Sequence, residues 1–116
     1  LSEEGENLQK AEQMSYKTIK SEPKNSTFLD TYAWILFMEQ RYAEAKIYID
    51  QAIQNDTDSV KNAVVIEHAG DIYAMNGDTR QALQYWQEAV KAGGDSALLQ
   101  RKIKLKKYIP VENKKK

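Results

Sequence analysis

The chain has 116 residues, with 17 basic side chains against 17 acidic ones, 41% hydrophobic and 29% charged residues, 5 glycines, 2 prolines and no cysteine. That balance suits one folded domain with a modest core and excludes a disordered polyelectrolyte. Disulfide and thiolate chemistry are excluded, and no apolar run approaches the roughly 18 residues that a membrane span needs.

The zero net charge hides an asymmetry. Residues 100–116 hold Arg101, Lys102, Lys104, Lys106, Lys107, Lys114, Lys115 and Lys116 against Glu112 alone, and the rest of the chain carries a matching acidic excess. An acidic body with a basic end is the one electrostatic feature of the chain.

The pattern predicts a first helix over about 4–21, with Leu8, Ala11, Met14 or Ser15, Thr18 and Ile19 on one face. Pro23 disfavours helix at the residue before it and ends the element. Ser26 or Thr27 is the expected cap of a second helix over 27–39, with Asp30 closing a capping box. That helix is bulky throughout, from Phe28 and Leu29 to Phe37 and Met38. A turn at Gln40-Arg41 leads to a third helix over 42–55, which stops at the polar run from Asn55 to Ser59. The fourth covers 60–76, ended by Asn76-Gly77, where glycine can adopt the left-handed conformation that closes many helices. Asp78 caps a fifth over 79–92, ended by Gly93-Gly94. Asp95 or Ser96 starts a sixth that runs to about 108, before Pro110. No segment reads as a strand, and the short connections make consecutive helices antiparallel neighbours.

Two stretches repeat. Ala45, Ile49, Ala52 and Ile53 match Ala82, Trp86, Ala89 and Val90 in order and chemistry, 37 residues on. Ala11, Ser15, Thr18 and Ile19 trace a weaker copy 34 residues before the first. A period of that size means a stacked helical array, whose units cannot bury a core alone.

These residues resemble the tetratricopeptide repeat family. Ile66, Ala69-Gly70, Tyr73, Gly77, Ala82, Trp86 and Ala89 fall on the family pattern, and Leu29, Tyr32-Ala33, Leu36, Ala45, Ile49 and Ala52 occupy the same places one unit earlier. The resemblance implies an all-α fold, a right-handed superhelical stack of antiparallel helix pairs with a C-terminal capping helix. It divides a single domain, 1–116, into the second helix of a truncated repeat (4–24), two full repeats (26–57 and 58–94), a capping helix (95–109) and a basic tail (110–116). Because the chain opens within a repeat, it reads as the C-terminal part of a larger repeat protein. Departures from the pattern are Gln40 where the family favours glycine, and Thr57 and Gly94 where it favours proline. The second interval is three residues longer than the usual one. The excess is placed at Asp56–Lys61, with an expected lengthening of a helix by about a turn.

In this family the first helix of each unit lines a concave groove. By resemblance the groove residues are Asp30, Trp34, Phe37 and Met38, then Val64, Glu67, Asp71, Ala74 and Met75. Methionine and aromatic side chains make an adaptable apolar contact, and the acids favour a segment bearing lysine or arginine. The expected strip has Trp34, Phe37, Met38 and Met75 partly exposed, bordered by Asp30, Glu67 and Asp71. The competing reading is that these residues only pack within the chain. Some members of the family bind the carboxylate-terminated tails of heat-shock chaperones through basic and amide groove residues. The acids here would repel such a tail, so that ligand is not expected.

The implied function is a non-enzymatic protein–protein interaction module or scaffold, with a protein or peptide segment as partner, or a second copy of the truncated chain. No cofactor is implied. His68 with Glu67 and Asp71 is too sparse for a metal site and reads as a solvated helix face. No cysteine, phosphate-cradling loop or nucleophile motif offers catalysis. Asn25-Ser26-Thr27 and Asn55-Asp56-Thr57 match the glycosylation triplet by chance. The alternative function is contact with nucleic acid or an anionic membrane through Lys102, Lys104, Lys106 and Lys107, where a solvating terminal face is the simpler reading. Nothing in the sequence assigns a compartment.

Overall fold

The computed structural model describes residues 3–56, 62–94 and 96–110. It contains six helices: α1 (Glu3–Ser21), α2 (Ser26–Met38), α3 (Tyr42–Gln54), α4 (Ala63–Met75), α5 (Thr79–Lys91) and α6 (Ala97–Leu105), with no strand among the described residues. Among those residues, no helix is long and apolar enough to cross a membrane. The most extensive contacts join α2 to α3 and α4 to α5, as two hairpins. The units stack through α1 on α2 and α3 on α4, while α6 closes against α5 and α2 also reaches α4. The fold is the expected all-α stack of helix pairs.

The helix starts are set by side-chain oxygens that take orphan backbone N–H groups. Asn25 caps α2 by accepting from Phe28 N, and Asn62 caps α4 through Val64 N and Val65 N. Asp78 and Ser96 cap α5 and α6 as expected. The expected Ser26 or Thr27 cap is corrected: Ser26 instead donates its hydroxyl to Ala52 O at 2.8 Å, tying the start of α2 to the end of α3. Asp30 takes no part in capping and is bonded to His68.

The ends of α2, α4 and α5 share one device. After each, two backbone N–H groups turn back to the last-turn carbonyls: Arg41 N to Leu36 O, Asp78 N to Tyr73 O and Gly94 N to Ala89 O make the longer bond. The turn requires a left-handed residue, filled by Gly77 at φ 86°, Gly93 at φ 108° and Gln40 at φ 65°. The departure at Gln40 is therefore a side chain in a conformation that suits glycine.

Two expectations about length are corrected. The helices α2 to α5 are 13 residues each, so the longer interval extends no helix. The extra residues fall between Gln54 and Ala63, where Thr57 to Lys61 lie outside the described residues. Helix α6 ends at Leu105, sooner than expected, with Lys106 left-handed at φ 58°. Lys114, Lys115 and Lys116 lie outside the described residues.

Packing follows a small-against-large rule. Ala33, Ala45, Ile49, Ala52, Ala69, Ala82, Trp86 and Ala89 are all 0% exposed. Gly70 marks a close crossing of α4 with α5: a Cβ placed there would collide with Cδ1 and Nε1 of Trp86. Trp86, the largest fully buried side chain, occupies the space that the missing side chain leaves.

Three stability measurements check this account. Trp86→Ala should lower the unfolding free energy by roughly 3–5 kcal/mol through the cavity it leaves. Gly70→Leu should lower it by roughly 1–3 kcal/mol or more, since ring and side chain cannot share the space. Urea melts of both variants that overlay the parent would refute the packing. Gln40→Gly should raise stability by up to about 1 kcal/mol, the left-handed penalty removed less the extra freedom of glycine in the unfolded chain. A melting temperature that falls on this change would show that the Gln40 side chain contributes contacts of its own.

Candidate partner-binding groove

The expected groove residues lie on α2 and α4, which contact each other, and repeat at a spacing of 37 residues: Trp34 matches Asp71, and Met38 matches Met75. Trp34 stacks on Phe37 in its own helix, with ring centroids 4.5 Å apart. Across the unit boundary it stacks on His68, 4.0 Å away and 18° from parallel. His68 Nδ1 lies 2.8 Å from Asp30 Oδ1. The two contacts fasten α2 to α4. His68 is thus half-buried between an indole and a carboxylate, and its reading as a solvated face is corrected. Among the described residues, no cluster of three or more histidine and acidic side chains could hold a metal.

The acids Glu67 and Asp71 meet a residue of the chain itself. Lys102 of α6 places Nζ 2.7 Å from Glu67 Oε2, and 2.8 and 3.0 Å from the two carboxylate oxygens of Asp71. Trp86 Nε1 donates to Asp71 Oδ1 at 3.0 Å. Asp71 and Lys102 are each 2% exposed. Lys102 therefore leaves the basic surface on which the sequence reading placed it, while Arg101, Lys104, Lys106 and Lys107 remain exposed.

After α6 the chain turns back onto α2. Tyr108 packs edge-on against Phe37, centroids 5.2 Å apart, and Lys102 Nζ lies 5.5 Å from the Tyr108 ring. Phe37, which also contacts Tyr42 at 5.3 Å, is buried in consequence. The partly exposed strip is narrower than expected: Trp34 is half-buried, Met38 and Met75 are exposed, and Val64 flanks them with 58% exposure. Asp30 lines it beside His68, and Ala74 is half-buried.

Burial sets the electrostatics of Asp71. Loss of water pushes its carboxyl up to about 6; the positive charge and hydrogen bond of Lys102 and the Trp86 N–H oppose the rise, and Glu67 adds to it. Burial, then the Asp71 and Tyr42 charges, likewise push the Tyr108 hydroxyl up.

No family model matches the chain, and no curated protein sequence matches it. Among solved structures it is similar to the N-terminal domain of stress-induced protein-1 (STI-1) from C. elegans, with a TM-score of 0.66 and 23% identity over 79% of this chain and 75% of that one. That likeness establishes a tetratricopeptide-like helical fold.

The Asp71 site makes a pH prediction. The folded chain holds the Asp71 proton more tightly than the unfolded chain does. Its contribution to stability is therefore full below the ordinary value of 3.8 and is lost as pH rises through about 6. In an NMR titration the Asp71 carboxyl carbon and the Trp86 indole N–H should move together with a midpoint near 6. Lys102→Met should push the midpoint higher, because the main influence opposing burial is removed. A midpoint in the ordinary carboxylate range would contradict the burial argument.

Proposed function

We propose that the chain is a non-enzymatic scaffold module of the tetratricopeptide repeat type that holds a protein or peptide segment on its concave face. The repeat spacing, the small-against-large pairs and the stack of helix hairpins support the family reading. The observation that carries the functional reading is the way the chain treats its own end. A lysine enters between Glu67 and Asp71, and an aromatic ring lies against Phe37. The groove thus takes a cation flanked by apolar groups, the chemistry its acids and rings call for.

With α6 seated, a partner meets what remains: Asp30 and the Trp34–His68 stack, with Met38 and Met75 at equivalent ends of α2 and α4. Phe37, Glu67 and Asp71 then support that surface from beneath. An apolar segment carrying a basic residue for Asp30 suits it, whereas a C-terminal carboxylate would face that acid. Arg101, Lys104, Lys106 and Lys107 offer the competing surface, for phosphate groups of nucleic acid or membrane.

The test compares partner recovery by the parent, by Trp34→Ala/Met75→Ala and by Lys104→Ala/Lys106→Ala/Lys107→Ala, at equal folded fraction and at two salt concentrations. Loss of the same partners with the groove variant alone, at either salt, is the expected result. Loss confined to the lysine variant, with steep weakening at high salt, would transfer the function to the basic surface.

A further inference from the structure

Ala11, Met14, Ser15 and Thr18 of α1, with Thr27, Phe28, Thr31 and Ile35 of α2, line an open cleft of about 480 Å³. The chain itself shows what such a cleft holds. The same relation recurs between α3 and α4, and there α2 lies against both helices. On α3 the counterparts of Ala11, Ser15 and Thr18 are Ala45, Ile49 and Ala52, all 0% exposed, while the three in α1 stay half-exposed. On the other wall, Phe28 and Ile35 are half-exposed, but their counterparts on α4, Val65 and Ile72, belong to the core. Both walls are thus buried where a first-of-pair helix is present. The cleft continues the α1–α2 packing, with Met14 69% exposed at its lip.

The geometry points to one occupant: an amphipathic first-of-pair helix of a further repeat unit, antiparallel to α1, with a bulky apolar side chain above Ser15. The size requirement follows from the pairing rule. Gly70 is bare because Trp86 fills the space beneath it. Ser15 stands where Ile49 and Trp86 stand in the complete units, so α1 offers the small partner and the incoming helix must supply the large one. Exposed Lys10 and Lys17, one turn to either side of Met14, favour acidic residues along the outer edge of that helix.

The probes are stapled helical peptides of residues 62–78 carrying Gly70→Ala or Gly70→Leu, added to the full chain and followed by NMR. The Leu peptide should shift Met14, Thr18, Phe28 and Ile35 and bind about tenfold more tightly than the Ala peptide. In the Ser15→Trp chain the preference should invert, because the cleft is then filled from below. Ser15 is half-exposed, so that variant keeps its fold, which its own spectrum verifies. Equal binding of both peptides, shifts at other residues, or no binding at roughly millimolar peptide would overturn the proposal. Concentration-dependent shifts of the cleft residues in the chain alone would overturn it too, by making a second copy the occupant.

Discussion

Trp86 fits in this molecule because residue 70 has no side chain. Adding a single carbon there makes it collide with the indole ring. The seated ring then directs its N–H at Asp71, which holds the carboxylate where Lys102 can reach it. One close helix crossing thus extends into a buried polar chain that runs from α5 through α4 to α6. Burying an ion pair gains little stability in itself, yet removing one partner strands the other in a dry interior. The pair therefore acts mainly as a register mark, fixing how α6 lies on the stack.

The charge distribution takes a different meaning in this light. An acidic body and a basic end look like two surfaces for two kinds of partner. Part of that opposition is satisfied internally, since Lys102 draws the basic helix onto two acids of α4. Arg101 and Lys104 then form the outer face of a helix whose inner face is Leu99 and Lys102, both buried, and Lys106 and Lys107 follow exposed just beyond its end. A terminal helix of a stack needs such a polar outside.

Much of the stack was legible from spacing. Ala45, Ile49 and Ala52 recur as Ala82, Trp86 and Ala89, and periodic apolar positions report on packing directly. The glycine turn at Gly77 and the caps Asp78 and Ser96 were legible for the same local reason. Caps at Asn25 and Asn62 were not, because several capping residues crowd each start and choosing among them takes backbone geometry. The surroundings of the expected groove residues were not legible. Nothing in a linear pattern says that Lys102 swings inward or that Tyr108 lies on Phe37, since both depend on where α6 meets α4. The available signal was two acids one turn apart on α4, without a nearby cation in their own helix, and a lysine spaced with Leu99 and Ile103 on α6. His68 was hidden because its partners, Asp30 and Trp34, sit a whole unit earlier.

Helical arrays are nearly one-dimensional, each unit touching only the next, and such chains tend to fray from an end without disturbing the middle. The contact of Tyr108 with Phe37 breaks that rule, joining the segment after α6 to α2 across 71 residues of chain. Peeling away α6 therefore unroofs a ring in α2 as well as Asp71 in α4, and fraying at this end costs contacts in both helix hairpins. The stack behaves less like a row of beads than like a strap buckled at its own end, and its two hairpins should lose structure together rather than in sequence.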